Sequence, residues 1–153
     1  MFPDQKLQEL GLQLPDAPKP VAAYVPSVRT GNLLFVSGQL PFAAGKLLAT
    51  GRVPTNTTVD QAKAAAQQCV LNALAIVSQE LGGSLSRVKR VVRLGVFVQS
   101  AEGFYDQPQV ANGASELLQI IFGEAGRHVR TTLGVFALPL NAAVEVECLF
   151  EIE

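Results

Sequence analysis

Charge is scarce in this chain. Only 16% of its 153 residues are Asp, Glu, Lys or Arg, against 48% that are hydrophobic, and the net charge is −1. Without a basic stripe or tail there is no cationic track for sequence-independent nucleic-acid binding, so no nucleic-acid partner is expected. Histidine occurs once, at His128, and cysteine twice, at Cys69 and Cys148, which gives no metal-ligand spacing. No glycine motif cradles a phosphate. Neither a metal nor another cofactor is therefore expected. The two cysteines sit inside apolar patterns and read as buried thiols of a reducing compartment. No apolar run approaches the ~20 residues of a membrane span. The start, Met1-Phe2-Pro3-Asp4-Gln5-Lys6, lacks the basic-then-apolar layout of a secretory signal. The expected location is the cytoplasm, with no membrane partner.

What is present fits one domain with a sizeable core. The chain is apolar for a small monomer, so part of its surface is expected to lie under further copies of itself. Asp4 to Gly11 can form a short helix with Leu7 and Leu10 on one side. The run Leu14-Pro15-Asp16-Ala17-Pro18-Lys19-Pro20 then forbids helix and central strand alike, and reads as an extended lead-in. Val21 to Val28 reads as an irregular strand broken by Pro26, Gly31-Asn32 as a hairpin turn, and Leu33 to Gly38 as a strand covered on both faces. Gly45 marks the next turn, and Lys46 to Thr50 a short strand.

Thr58 followed by Gln61 matches the capping box that opens a helix. Behind it Ala62, Ala66, Cys69, Val70, Ala73, Val77 and Leu81 recur at helical spacing, and Gly82-Gly83 stops the run. Val88 to Val98 is β-branched and reads as a strand. Asp106-Gln107-Pro108 supplies an acidic cap and a proline in the first turn of a second helix, whose stripe is Val110, Ala114, Leu117, Leu118, Ile121 and Phe122, ending at Gly123. Thr132 to Leu138 and Ala143 to Ile152 read as two further strands joined by a short Pro/Asn turn. In the last, Val144, Val146, Cys148, Phe150 and Ile152 face one way and Glu145, Glu147, Leu149 and Glu151 the other. The order β-β-(β)-α-β-α-β-β predicts an α+β domain: one mixed sheet with both helices on one face.

In so uncharged a chain, Arg130 just before one strand and glutamates alternating along its neighbour look like a site. A guanidinium offers a planar fork that matches a carboxylate in bidentate fashion, so the expected substrate class is a small carboxylate. The competing reading of Arg130 is an ion pair to Glu145 or Glu147 at a subunit interface.

Tyr24, then Gly31-Asn32, then Phe35-Val36-Ser37-Gly38-Gln39-Leu40-Pro41 resembles the N-terminal signature of the YjgF/RidA family, the reactive-intermediate (enamine/imine) deaminases. The resemblance continues through the Thr58-capped helix, Asn112, Arg130 and Val144-Glu145-Val146-Glu147, and covers roughly residues 18–153, leaving 1–17 as an N-terminal extension. It implies a chorismate-mutase-like α+β protomer, a homotrimer, and clefts at the subunit interfaces. It assigns Arg130 to the substrate carboxylate and Glu145 to a catalytic water. It puts Tyr24 near the cleft mouth, Ser37 and Gly38 along its lining, and Thr132 where many members have cysteine. Asn112 aligns approximately. His128, two residues before Arg130, is a further candidate for substrate contact.

The implied chemistry is hydrolysis of a 2-imino acid, or its enamine tautomer, to a 2-keto acid and ammonia, without a cofactor. Arg130 would orient the carboxylate, and a water held by Glu145 and the Thr132 carbonyl would attack the imine carbon. The alternatives are a non-catalytic sensor of keto acids, an endoribonuclease, and a stress-type chaperone.

Overall fold

The computed structural model describes residues 2–19 and 22–153. Its centre is a mixed five-stranded sheet in the order β1-β2-β7-β5-β6. The strands are β1 (Ser27–Thr30), β2 (Leu33–Gln39), β5 (Val88–Gln99), β6 (Val129–Val135) and β7 (Val144–Ile152). Only β5 and β6 run parallel; the other neighbours are antiparallel. A parallel pair needs a crossover connection, and here it contains the helix α3 (Gln107–Phe122) and a 3₁₀ turn, Gly123–Gly126. A small separate hairpin joins β3 (Phe42–Ala43) to β4 (Lys46–Leu47).

Helix α2 (Val59–Glu80) begins where the sequence places it: Thr58 accepts from the Gln61 amide while the Gln61 side chain accepts from the Thr58 amide. Gly82, at φ +86°, follows its end in the left-handed region that glycine tolerates. The expected acidic cap of α3 is not made. Asp106 has φ −92° and ψ 30°, away from the extended conformation that aims a capping carboxylate at the first-turn amides, and its side chain caps nothing. Helix α1 (Pro3–Glu9) is tied to the body by Asp4, whose carboxylate accepts from the Leu85 amide and the Ser84 hydroxyl. Leu7 is buried as expected, but Leu10 lies past the helix end and is exposed.

Both long helices cover one face of the sheet. The pleat of β7 puts Val144, Val146, Cys148, Phe150 and Ile152 into the core against α2, and Glu145, Glu147, Leu149 and Glu151 on the open face. Both cysteines are free and buried. Burial, then the Glu147 charge, pushes the Cys148 thiol up to about 12, so it stays protonated and packs as a small apolar group.

The structure corrects four further expectations. The last two strands are not a hairpin. β5 lies between β6 and β7, because β6 finds its partner through the α3 crossover and not through the Pro139–Asn141 turn. β6 also starts three residues early, at Val129, since its parallel register with Arg93–Gln99 extends that far, and it ends at Val135. β2 is covered on one face only: Leu34 and Val36 are buried, whereas Phe35 points to the uncovered side. The strand expected over Val21–Val28 is instead the short β1, beginning at Ser27 after Pro26, and Val21 lies outside the described residues.

The two helices touch through small residues. Gly113 of α3 lies against the backbone of Lys63 in α2, where any side chain would collide with the Lys63 carbonyl oxygen. Gly113→Ala is therefore expected to destabilise the fold by about 1–3 kcal/mol through overpacking, read as a lower urea midpoint at unchanged slope.

Candidate functional site

The residues singled out by sequence fall into two groups on opposite faces of the sheet. Arg130 stands opposite Leu94 of β5, a core residue, and so points to the helix side. Glu145 stands opposite Phe97, three residues further along β5, and points to the open side. Two interstrand spacings of about 4.8 Å also separate their strands. One protomer cannot bring the two side chains together.

On the helix side, Arg130 is held by α3. Its Nη1 donates to Asn112 Oδ1 at 2.9 Å and to Ser115 Oγ at 3.1 Å. Asn112 and Ser115 lie three apart on the helix, so their side chains share a face. Ser115 Oγ is also 2.9 Å from His128 Nε2, and His128 Nδ1 is 2.7 Å from the Gly126 carbonyl. That carbonyl can only accept, which puts the imidazole proton on Nδ1. The Ser115 hydroxyl then donates to Nε2 and is free to accept from Arg130. The chain Gly126–His128–Ser115–Arg130 is thus consistent donor by donor. It uses both protons of Nη1 and leaves the Nε/Nη2 edge of the guanidinium, the side-on fork, without a partner among the described residues. Both ring nitrogens of His128 are thus engaged within the chain, and through Ser115 it supports Arg130. Thr132, on the same face of β6, has a buried hydroxyl with no partner among the described residues.

On the open side, the Glu145 carboxylate packs on the Cα of Gly38, where any Cβ would collide with it. Its neighbour Glu147 is paired with Arg93 at 2.8 Å, so neither glutamate pairs with Arg130. Burial, and secondarily the nearby Glu147 charge, raises the Glu145 carboxyl above the ordinary range. Ser37 spends its hydroxyl on the Val25 carbonyl at 2.7 Å, and its amide bonds the Pro26 carbonyl at 2.9 Å. It therefore holds the Tyr24–Pro26 segment against β2 instead of acting as a nucleophile. Beside Gly38 opens a cleft of about 490 Å³, lined among others by Tyr24, Pro26, Ser37, Leu40 and Phe42. Among the described residues no three His, Cys, Asp or Glu side chains converge as a metal site would need.

A family model described as "YjgF/chorismate_mutase-like, putative endoribonuclease" matches residues 4–152. The chain belongs to this family. It is 47% identical over 147 residues to protein TCP17 of Trypanosoma cruzi, spanning 95% of this chain and 91% of that one. It is 31% identical over 142 residues to a 2-iminobutanoate/2-iminopropanoate deaminase of Dermatophagoides farinae, spanning 93% and 95%. A solved structure from Agrobacterium tumefaciens, 44% identical, superposes with a TM-score of 0.90 over 99% of this chain and 92% of that one.

Against this family background, Ser115 is the site residue that sequence reasoning missed. The signal available was its position three residues after Asn112, on the face that meets the strand carrying Arg130.

A raised carboxyl gives a signed prediction for stability. The folded protein prefers Glu145 protonated, so its contribution is present below the ordinary carboxylate range and is lost as pH rises through the raised value. Glu145→Gln, neutral at every pH, should raise Tm at neutral pH by on the order of 1–2 °C for a half-buried group partly screened by solvent. The gain should vanish in acid, as followed by calorimetric melts.

Proposed function

We propose that the protein hydrolyses reactive 2-imino acids to 2-keto acids and ammonia, in clefts that two copies of the chain build together within a homotrimer. The observation that carries this reading is the Arg130 guanidinium, locked by Asn112 and Ser115 with its side-on fork unused. A fork fixed in this way loses little freedom on taking a carboxylate. A deaminase among the relatives, and a glutamate on the opposite face packed against the Gly38 cleft, give the chemistry beyond binding.

The exposed groups of the sheet support an assembly. Arg130 of one copy can approach Glu145 of another only if the β6 edge of the first, which carries Arg130, meets the open face of the second. The open face carries Phe35, Val129 and Leu133, all at least 46% exposed. Such apolar groups gain from being covered.

In the reaction, the Arg130 fork would hold the substrate carboxylate. Glu145 and the Thr132 carbonyl would hold a water near C2, its oxygen attacking the iminium carbon as Glu145 accepts a proton. The nitrogen of the resulting carbinolamine takes that proton and leaves as ammonia, while the hydroxyl proton passes to Glu145 and the new C–O bond becomes the keto carbonyl. A carboxyl raised by burial is the stronger base for this transfer. Substrates of this kind are already electrophilic, so positioning and a single relay suffice.

A binder of keto acids without turnover would use the same arginine and is the second reading. The endoribonuclease description attached to the family has less support in this chain, whose net charge of −1 offers little to phosphates.

The test is keto-acid release from imines generated in situ by an amino-acid oxidase. Arg130→Ala should cost about 100-fold or more in kcat/KM with the assembly intact, and Arg130→Lys should recover little of it, an ammonium being a point charge. Glu145→Gln should keep ligand affinity in calorimetry and lose turnover. An Arg130→Ala protein that falls apart in sedimentation would make Arg130 an interface contact. A wild type that binds keto acids without turnover would make the protein a sensor. The acid limb of the kcat profile should sit above the range of an ordinary glutamate, since turnover falls as Glu145 takes up its proton.

A further inference from the structure

We infer that the cleft beside Gly38 receives the side chain of the substrate, and that it favours 2-imino acids with large apolar side chains, aromatic or branched, over those carrying one or two carbons. This rests on the deaminase reading of the same site and names its substrate class.

The cleft offers carbon and little else. Tyr24, Pro26, Leu40, Phe42 and Leu140 supply its walls. Of the polar side chains in its lining, three amide and hydroxyl groups are already engaged, and the exposed Tyr24 hydroxyl is a free donor among the described residues. Asn72 donates to the Leu40 and Phe42 carbonyls, both at 3.0 Å, Gln39 donates to the Ser37 carbonyl at 2.9 Å, and Ser37 donates to the Val25 carbonyl. Lys19 is its one charged lining residue and is exposed. A carboxylate finds only the exposed Lys19 and the Tyr24 hydroxyl in this lining, whereas an apolar group gains in proportion to the area it covers. At about 490 Å³ the space lies within the 300–1,000 Å³ usual for ligand pockets, roughly, and a methyl or ethyl group would leave most of it to water.

The walls are also held in place before any ligand arrives. On one side Asn72, 2% exposed, fixes the Leu40–Phe42 segment through the two carbonyls just named. On the other, Leu140 adopts φ +57°, a left-handed conformation that leucine rarely takes. Its neighbour Asn141, also left-handed at φ +60°, locks this turn. The Asn141 carbonyl accepts from the Gly51 amide at 2.8 Å, and its side-chain oxygen accepts from the buried Gln99 at 3.1 Å. Glycine at 140 would relax the backbone but remove the leucine from the wall. A strained residue kept by a buried amide, with its side chain in a cleft, is the pattern of a built binding surface. The Gly38 Cα, with Glu145 behind it, joins this apolar space to the reacting end.

The experiment compares imines generated in situ from phenylalanine, leucine and alanine, and measures binding of phenylpyruvate and pyruvate by calorimetry on the full-length protein. kcat/KM should be at least about tenfold higher for the phenylalanine and leucine imines than for the alanine imine. Ala22→Trp, which narrows the cleft, and Leu140→Gly, which removes part of its wall, should each bring that ratio towards one. Equal or faster turnover of the alanine imine would overturn the inference and leave the deaminase reading standing. No turnover of any imine, with phenylpyruvate bound tighter than pyruvate, would uphold the apolar site and overturn the deaminase reading. Absence of both turnover and binding would overturn both. If Ala22→Trp changes the oligomeric state instead of the ratio, the cleft is a subunit contact and the inference falls.

Discussion

The pleat of Val144–Ile152 is the constraint from which the positions of the other groups follow. Five of its nine residues enter the core, and a strand paired on both edges cannot slip by one without turning all five into solvent. Because that register is fixed, Glu145 and Glu147 have no choice but the uncovered face. Because β5 pairs with β7 along nearly its whole length, its own faces are fixed in turn, and through β5 those of β6. Arg130 is thereby committed to the helix side. The separation of arginine from glutamate is thus a consequence of sheet register, and it excludes an ion pair between them within one chain.

The guanidinium, and the walls of the cleft, are set by polar side chains of the fold itself. Asn112 and Ser115 aim the guanidinium, Asn72 anchors one cleft wall, and Gln99 holds the Leu140–Asn141 turn opposite it. These groups lie in or at the edge of the core, where an unpaired amide or hydroxyl is costly, so each has effectively one arrangement. The loops they bind inherit that definition. In a chain with so few charges, amides and hydroxyls do the positioning that ion pairs do elsewhere, and they do so without the desolvation cost of buried ions.

The helices were legible in the sequence because their signals are local. Thr58 with Gln61, Gly82 after the last turn and Gly123 after Phe122 act within a few residues, and the structure uses each of them. The inward face of β7 was legible for the same reason, since strict alternation names its own faces. Pairing was not. Nothing local in Arg130–Val146 distinguishes a hairpin from two strands with a third inserted between them, because the inserted strand, Val88–Gln99, lies some forty residues upstream of β6. Asp106 shows the opposite failure: a residue type that commonly caps stands at the right position, but its backbone angles turn the carboxylate away.

The site residues divide along the same line. Arg130, Glu145, Ser37 and Gly38 could be named because charge is rare here and because their motifs resemble a family, but the sequence could not say that Arg130 leans on Ser115 or that Glu145 leans on a glycine. Gly38 shows why. In sequence it is one more glycine in a strand, where glycine costs stability. In the fold it is the one residue type that lets the Glu145 carboxylate lie flat against the strand at the edge of an apolar cleft. Partial burial there, with Glu147 paired to Arg93, leaves Glu145 a carboxylate with no cation paired to it among the described residues and a raised affinity for a proton. A group in that state is poor cement for a fold and well suited to exchanging a proton with a water, which is why the packing of one glycine bears on the chemistry more than any charge count does.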